Sequence, residues 1–182
     1  AYRMLRQFDA AGKHLDAVLS QTDPPLGADL TAQALLERGK VEFDRERFRE
    51  AVPFFARAYE SNRSDPPTVL YLAGALYRDK QYGEAAAKYA EALKLQPRNL
   101  STERYLGMAL LEKGDVAEAE KHLKAVLLGG EEDASLYYHL ARIREAAGDR
   151  AGAISYLESA LRKDPNYQNA RVRLDKLTGK GP

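Results

Sequence analysis

The feature that most constrains this chain is a period of 34 residues. Stepping by 34 from Ala73 reaches Gly39, Gly107 and Ala141. The same step carries Ala85 onto Ala51, Ala119 and Ala153, and Tyr89 onto Phe55, Leu123 and Leu157. It carries Ala92 onto Ala58, Val126 and Ala160, and Leu93 onto Tyr59, Leu127 and Leu161. These columns keep side-chain size and polarity in register without a gap. A fixed period in this range means that one small unit is stacked on copies of itself, because a single unit cannot bury its own apolar face.

Inside a period the apolar spacing is helical. In the stretch from Leu70 to Pro97, Leu72, Ala73 and Leu76 mark one face of a first helix. Tyr82, Ala85, Tyr89, Ala92 and Leu93 mark one face of a second. Pro97 stops the pattern. The expected fold class is therefore all-α. Gly114-Asp115 and Gly148-Asp149 suit a left-handed residue in the turn within a unit, whereas Lys80-Gln81 is a less ideal pair.

The pattern L-A/G-x-A-L…G-D…A…Y/L…A-L…P at these residues resembles the tetratricopeptide repeat. The resemblance implies a right-handed superhelical α-solenoid of helix–turn–helix repeats with a non-catalytic, protein-binding role. It sets full repeats at 32–65, 66–99, 100–133 and 134–167. Residues 1–25 read as a worn or truncated first repeat, broken at Gly12 and ended by Thr22-Asp-Pro-Pro25. A linker follows at 26–31, with Asp29 or Thr31 as N-cap of the next helix. Residues 168–178 read as a capping helix and 179–182 as a disordered tail. The first full repeat departs most from the pattern. Arg38 stands where the others carry Leu72, Leu106 and Leu140, and Glu42 where the second and third carry Leu76 and Leu110; its second helix reads as Phe48 to Ser61 with Pro53 inside it, a start near Glu50 being the alternative.

Composition excludes more than it assigns. Net charge is +1, so no global field favours a polyanion, and there is no cysteine for disulfide or thiolate chemistry. No apolar run is long enough to span a membrane, so direct insertion is not expected. The sequence starts in helix without a methionine or a leader, which reads as a fragment of a longer protein. A cytoplasmic location is favoured, with a periplasmic or envelope-associated one as the alternative.

No constellation for chemistry emerges. His14, His122 and His139 share no metal-ligand spacing, and no nucleophile–base order or phosphate cradle is present. Gly179-Lys180-Gly181 lacks the spacing of a phosphate loop. Carboxylates alternate with basic residues on helix faces, as in Glu84–Lys88 and Glu120–Lys124. The run Glu131-Glu132-Asp133 reads as favourable negative charge at a helix start. No enzyme activity, cofactor or metal is expected.

What remains is the surface that the resemblance assigns to binding. In such repeats the first helices line a concave wall. Mapped by repeat position, that wall carries Lys40, Phe43, Tyr71, Gly74, Tyr77, Arg78, Arg104, Tyr105, Met108, Tyr138, His139 and Arg142. Tyrosine and arginine are over-represented among residues that carry interface energy. The expected partner is another protein, laid in as a helix or extended peptide, with Arg78, Arg104 and Arg142 meeting acidic flanks. The opposing reading is that the tyrosines pack between neighbouring first helices. Two further functions compete. One is a structural spacer within a longer array. The other is an RNA-binding repeat, which residues 100–133 oppose with eight carboxylates against four Lys/Arg.

Overall fold

The computed structural model describes residues 2–20 and 27–180, with side chains from residue 7 onward. The expected stop at Thr22–Pro25 and the last two tail residues lie outside the described residues. Two compact units result, Ala1–Pro97 and Arg98–Pro182, where the period alone suggests one array. The division falls at a break in the backbone. Pro97 offers no amide donor, and Arg98 adopts φ 69°.

The first unit contains α1 (Tyr2–Leu19), α2 (Ala28–Asp44), α3 (Phe48–Ser61), α4 (Pro66–Arg78) and α5 (Tyr82–Leu95). The second contains α6 (Leu100–Lys113), α7 (Val116–Leu128), α8 (Ala134–Ala146), α9 (Arg150–Lys163) and α10 (Gln168–Thr178). The fold is all-α, of the helical-repeat solenoid class. Within each unit every helix packs against the next in sequence.

The period is visible atom by atom. The small column of Ala51, Ala85, Ala119 and Ala153 is wholly buried, opposite Gly39, Ala73, Gly107 and Ala141. Phe55, Tyr89, Leu123 and Leu157 fill the layer beside it, and Ala58, Ala92, Val126 and Ala160 close it. Two glycines are demanded by close approach. A Cβ at Gly39 would lie 2.5 Å from the Phe55 ring, and one at Gly107 would lie 2.7 Å from Leu123 Cγ. In the second unit the core continues through Leu136, Leu140 and Ile143 to Ala170 of α10.

The turn inside each helix pair repeats as well. The amides of Arg47, Gln81, Asp115 and Asp149 donate to the carbonyls of Glu42, Leu76, Leu110 and Arg144, five residues back. This closes the turn around a left-handed residue: Glu46 (φ 59°), Lys80 (φ 64°), Gly114 (φ 99°) and Gly148 (φ 77°). A side chain in that region costs about 1 kcal/mol or more. Lys80→Gly is therefore expected to raise stability by about 1 kcal/mol, and Gly114→Ala to lower it by a similar amount, read as shifts in thermal midpoint. Equal midpoints for Lys80→Gly and wild type would contradict this account of the turn.

The helix starts are capped on the same register. Asp65, Asn99 and Asp133 accept hydrogen bonds from the amides of Thr68, Thr102 and Leu136 at 3.0, 3.0 and 2.8 Å.

Several local expectations change. Gly12 does not break α1, which runs through it as one helix. The N-cap of α2 is Gly27, and the Thr31 hydroxyl donates to its carbonyl at 3.1 Å. α3 keeps the expected bounds Phe48–Ser61 with Pro53 inside it, and the alternative start near Glu50 is not taken. Lys88 pairs with Glu91 at 3.0 Å instead of with Glu84. In the run 131–133 only Asp133 caps a helix; Glu131 meets Arg104 at 3.2 Å and Glu132 meets Lys163 at 2.7 Å.

Candidate functional site

The candidate residues lie on the first helices of the pairs, and each unit holds its own set. In the first unit, α2 supplies Lys40 and Phe43, and α4 supplies Tyr71, Gly74, Tyr77 and Arg78. Phe43 sits at the centre, with ring centroids 5.2 Å from Phe48, 6.3 Å from Phe55 and 6.3 Å from Tyr71. Tyr71 stacks on the buried Phe55 ring at 5.4 Å and still leaves 36% of its surface exposed. The ring thus packs between neighbouring helices and is part-exposed at the same time. Lys40 Nζ lies 4.9 Å from the Tyr71 centroid, and Arg78 Cζ lies 4.2 Å from that of Phe48. Two cations therefore flank an aromatic floor, a favourable arrangement in itself. Lys40 also pairs with the exposed Glu37 at 2.7 Å. Tyr77 packs edge-on to Tyr82 across the turn at 5.6 Å. A side chain at Gly74 would meet Phe43 and the Tyr89 hydroxyl at 3.7 Å, an ordinary contact.

The second unit treats its candidates differently. Tyr105 on α6 is 46% exposed. Arg104, however, is held by Glu131 and Asp133, and Arg142 on α8 forks onto both oxygens of Glu112 at 2.5 and 3.2 Å. The hydrogen bond from Arg142 holds the Glu112 carboxyl below the ordinary carboxylate range, even against its burial. These two arginines are paired with carboxylates of the chain itself. Met108 is half-buried against the core of α6 to α8. Tyr138 is covered in part by α10. Its hydroxyl accepts from Arg173 at 3.1 Å, and its ring meets Tyr167 at 5.7 Å.

His139 is interior, only 8% exposed, rather than part of an open wall. Its Nδ1 is buried without a hydrogen-bond partner. Burial, aided by the nearby Arg142 charge, lowers its pKa from 6.5 to about 4. The folded form thus binds the proton more weakly than the unfolded form. Its contribution is complete above pH 6.5 and is lost as pH falls toward about 4. That difference corresponds to roughly 3 kcal/mol. His139→Gln is expected to flatten the stability profile between these pH values. A parallel loss in wild type and variant would contradict it.

Two features escaped the sequence reading. Phe55 lies beneath Tyr71, and Phe48 backs Phe43 beside it, roles signalled only by the aromatic density of residues 43–55. The carboxylates Glu112, Glu131 and Asp133 occupy the candidate arginines, and nothing in their own spacing announces it. Among the described residues, no group of three or more His, Cys, Asp or Glu could hold a metal ion. Among them, too, no helix is long and apolar enough to cross a membrane.

A family model described as "Tetratricopeptide repeat" matches residues 1–67 and 106–168, well over half of the chain. The chain belongs to the tetratricopeptide repeat family. This tetratricopeptide repeat protein also matches, over residues 44–126, a model described as "Anaphase-promoting complex, cyclosome, subunit 3". A curated relative, interferon-induced protein with tetratricopeptide repeats 3 of Mus musculus, is 28% identical over 135 residues. That alignment takes in 71% of this chain and 33% of the relative, so the chain spans about a third of the relative's length. Among solved structures, YrrB, titled a TPR protein with an unusual peptide-binding site, is similar with a TM-score of 0.78 at 21% identity, over 92% of this chain and 83% of that one. MamA from Desulfovibrio magneticus RS-1 has a TM-score of 0.74 at 21% identity, over 82% and 85%. PilF of Pseudomonas aeruginosa has 0.67 at 22%, over 85% and 71%. This tetratricopeptide repeat protein is a helical-repeat module of the protein-interaction class.

Proposed function

We propose that this protein is a non-catalytic scaffold or adaptor that holds a segment of a partner protein on the exposed faces of its first helices. The observation that carries the reading is Tyr71, seated on Phe55 and Phe43, part-exposed, with Lys40 and Arg78 to either side. Such a face suits an apolar or aromatic partner side chain next to an acidic residue, bound as a helix or an extended peptide. Tyr105 offers a smaller aromatic contact in the second unit. The unusual peptide-binding site of YrrB supports the mode of action, and the likeness itself supports the fold. A setting in a bacterial secretion, pilus or cell-envelope assembly belongs to the same proposal; the Ala-, Arg- and Leu-rich composition is compatible with a bacterial source.

The test uses lysate of the source organism, with wild type, Tyr71→Ala and Tyr105→Ala as baits of equal helicity. Once a partner is captured, Tyr71→Ala is expected to weaken its binding by about 2 kcal/mol, roughly thirtyfold. Lys40→Glu with Arg78→Glu is expected to weaken it further and to reduce its dependence on salt. Unchanged affinity in every variant would overturn the assignment of the face. Capture of nothing would favour the spacer reading.

A further inference from the structure

Gly74 lies in the interior of α4, where glycine is less favourable than alanine because it loses more backbone freedom on folding. Two other helical glycines have a packing reason. A Cβ at Gly39 would collide with the Phe55 ring at 2.5 Å, and one at Gly107 with Leu123 at 2.7 Å. At Gly74 the nearest atoms an added Cβ would meet are the Phe43 ring and the Tyr89 hydroxyl, both at 3.7 Å, an ordinary van der Waals distance. Gly74 is half-buried, so the position also reaches the surface. Neither packing nor helical conformation therefore requires glycine here.

The other repeats fill the same register. They carry Lys40, Met108 and Arg142 there. Each of those side chains is engaged: Lys40 with Glu37 and the Tyr71 ring, Met108 with the core of α6 to α8, and Arg142 with Glu112. The second repeat leaves a gap of about one aliphatic side chain, floored by Phe43 and the Tyr89 hydroxyl. Tyr71 precedes Gly74 by three residues and Arg78 follows it by four, so the three share one face of α4. The gap thus lies between an aromatic ring and a cation. Arg78 is exposed, with its Cζ 4.2 Å from the Phe48 centroid, and has no carboxylate partner among the described residues.

We propose that Gly74 is the specificity notch of the Tyr71 face: it admits one large aliphatic side chain of a partner helix, whose carboxylate one helical turn away meets Arg78. This rests on the binding role proposed for the Tyr71 face. The aromatic floor selects an apolar anchor, and the unpaired guanidinium selects an acid beside it. Gly74 and Arg78 stand one turn apart on α4, which sets the same separation in the occupant.

The probe is a phage-displayed library of random dodecapeptides, panned against the wild-type chain, with the enriched peptides then synthesised and labelled. Their affinities are read for wild type, Gly74→Ala, Gly74→Met, Arg78→Ala and Tyr71→Ala. Thermal midpoints come first. Gly74→Ala is expected to melt above wild type, and Gly74→Met no lower than wild type. A lower midpoint for Gly74→Ala would show that the fold needs the glycine and would overturn the proposal. The enriched peptides are expected to share a leucine, isoleucine or methionine with an aspartate or glutamate one helical turn away. Gly74→Met is expected to bind them about tenfold or more weakly than wild type, with Gly74→Ala between the two. Replacing the peptide carboxylate by its amide is expected to weaken binding to wild type but not to Arg78→Ala. No enrichment, enrichment of peptides without this pair, equal binding by wild type and Gly74→Met, or an equal loss on amidation in wild type and Arg78→Ala would overturn the proposal. Tyr71→Ala separates the two readings. Peptides weakened by Tyr71→Ala but not by Gly74→Met leave the face in place and remove only the notch, whereas peptides indifferent to both remove the face as well.

Discussion

Phe55→Ala is expected to lower the unfolding free energy by about 3–5 kcal/mol. Among the described residues Phe55 is the largest wholly buried side chain. Its ring fills the space that Gly39 leaves, stacks beneath Tyr71 and packs against Phe43. Truncation removes the buried ring and leaves a cavity that two rigid helices cannot collapse to fill. The loss reaches the candidate binding face, because Tyr71 then keeps only its edge contact with Phe43. The variant should show both an earlier denaturation midpoint and weakened partner binding. A loss below about 1 kcal/mol would mean that the α2–α3 contact is looser than described.

The second large effect changes sign with the partner residue. Glu42→Ala strips Arg38 of its buried carboxylate and is expected to cost about 3 kcal/mol. Asp16 still contacts the guanidinium, which keeps the cost at the low end of the range for a broken buried pair. Replacing both residues, Arg38→Leu with Glu42→Leu, restores the leucines that the second and third repeats carry there. Exchanging a desolvated ion pair for apolar packing is expected to be neutral or to stabilise by about 1–4 kcal/mol. Chemical denaturation of the two variants side by side decides the matter. Destabilisation of both by similar amounts would show that the ion pair, and not its imbalance, holds the first unit together.

How much of this could be read from the sequence depends on what encodes it. The buried columns through Ala85 and Tyr89 were legible, because core packing repeats with the backbone and each column is reinforced by its copies. The left-handed turn was legible at Gly114 and Gly148 from residue type, and at Lys80 only from register. The chemistry of the faces was not. Position within a repeat places Arg142 on a first helix, but its charge is taken up by Glu112, 30 residues earlier. Arg104 is similarly taken up by Glu131 and Asp133 on the following loop. Surface pairings of this kind are decided by rotamers within about 1 kcal/mol of one another, too little to leave a pattern in the chain. His139 misled for a related reason. It follows Tyr71 and Tyr105 by position in a different local packing, and burial reverses its role. The substitutions of leucine by Arg38 and Glu42 were visible as departures. Their meaning required α1, whose two aspartates are unremarkable in sequence.

The central claim is that a partner segment lies on the aromatic face around Tyr71. A photo-reactive phenylalanine analogue placed at position 71 tests it most directly, with the same analogue at the exposed Ala87 of α5 as its counterpart. The account predicts a covalent adduct with the partner from position 71 and none from position 87. An adduct from position 87 with none from 71 would place the partner on the second helices and contradict it.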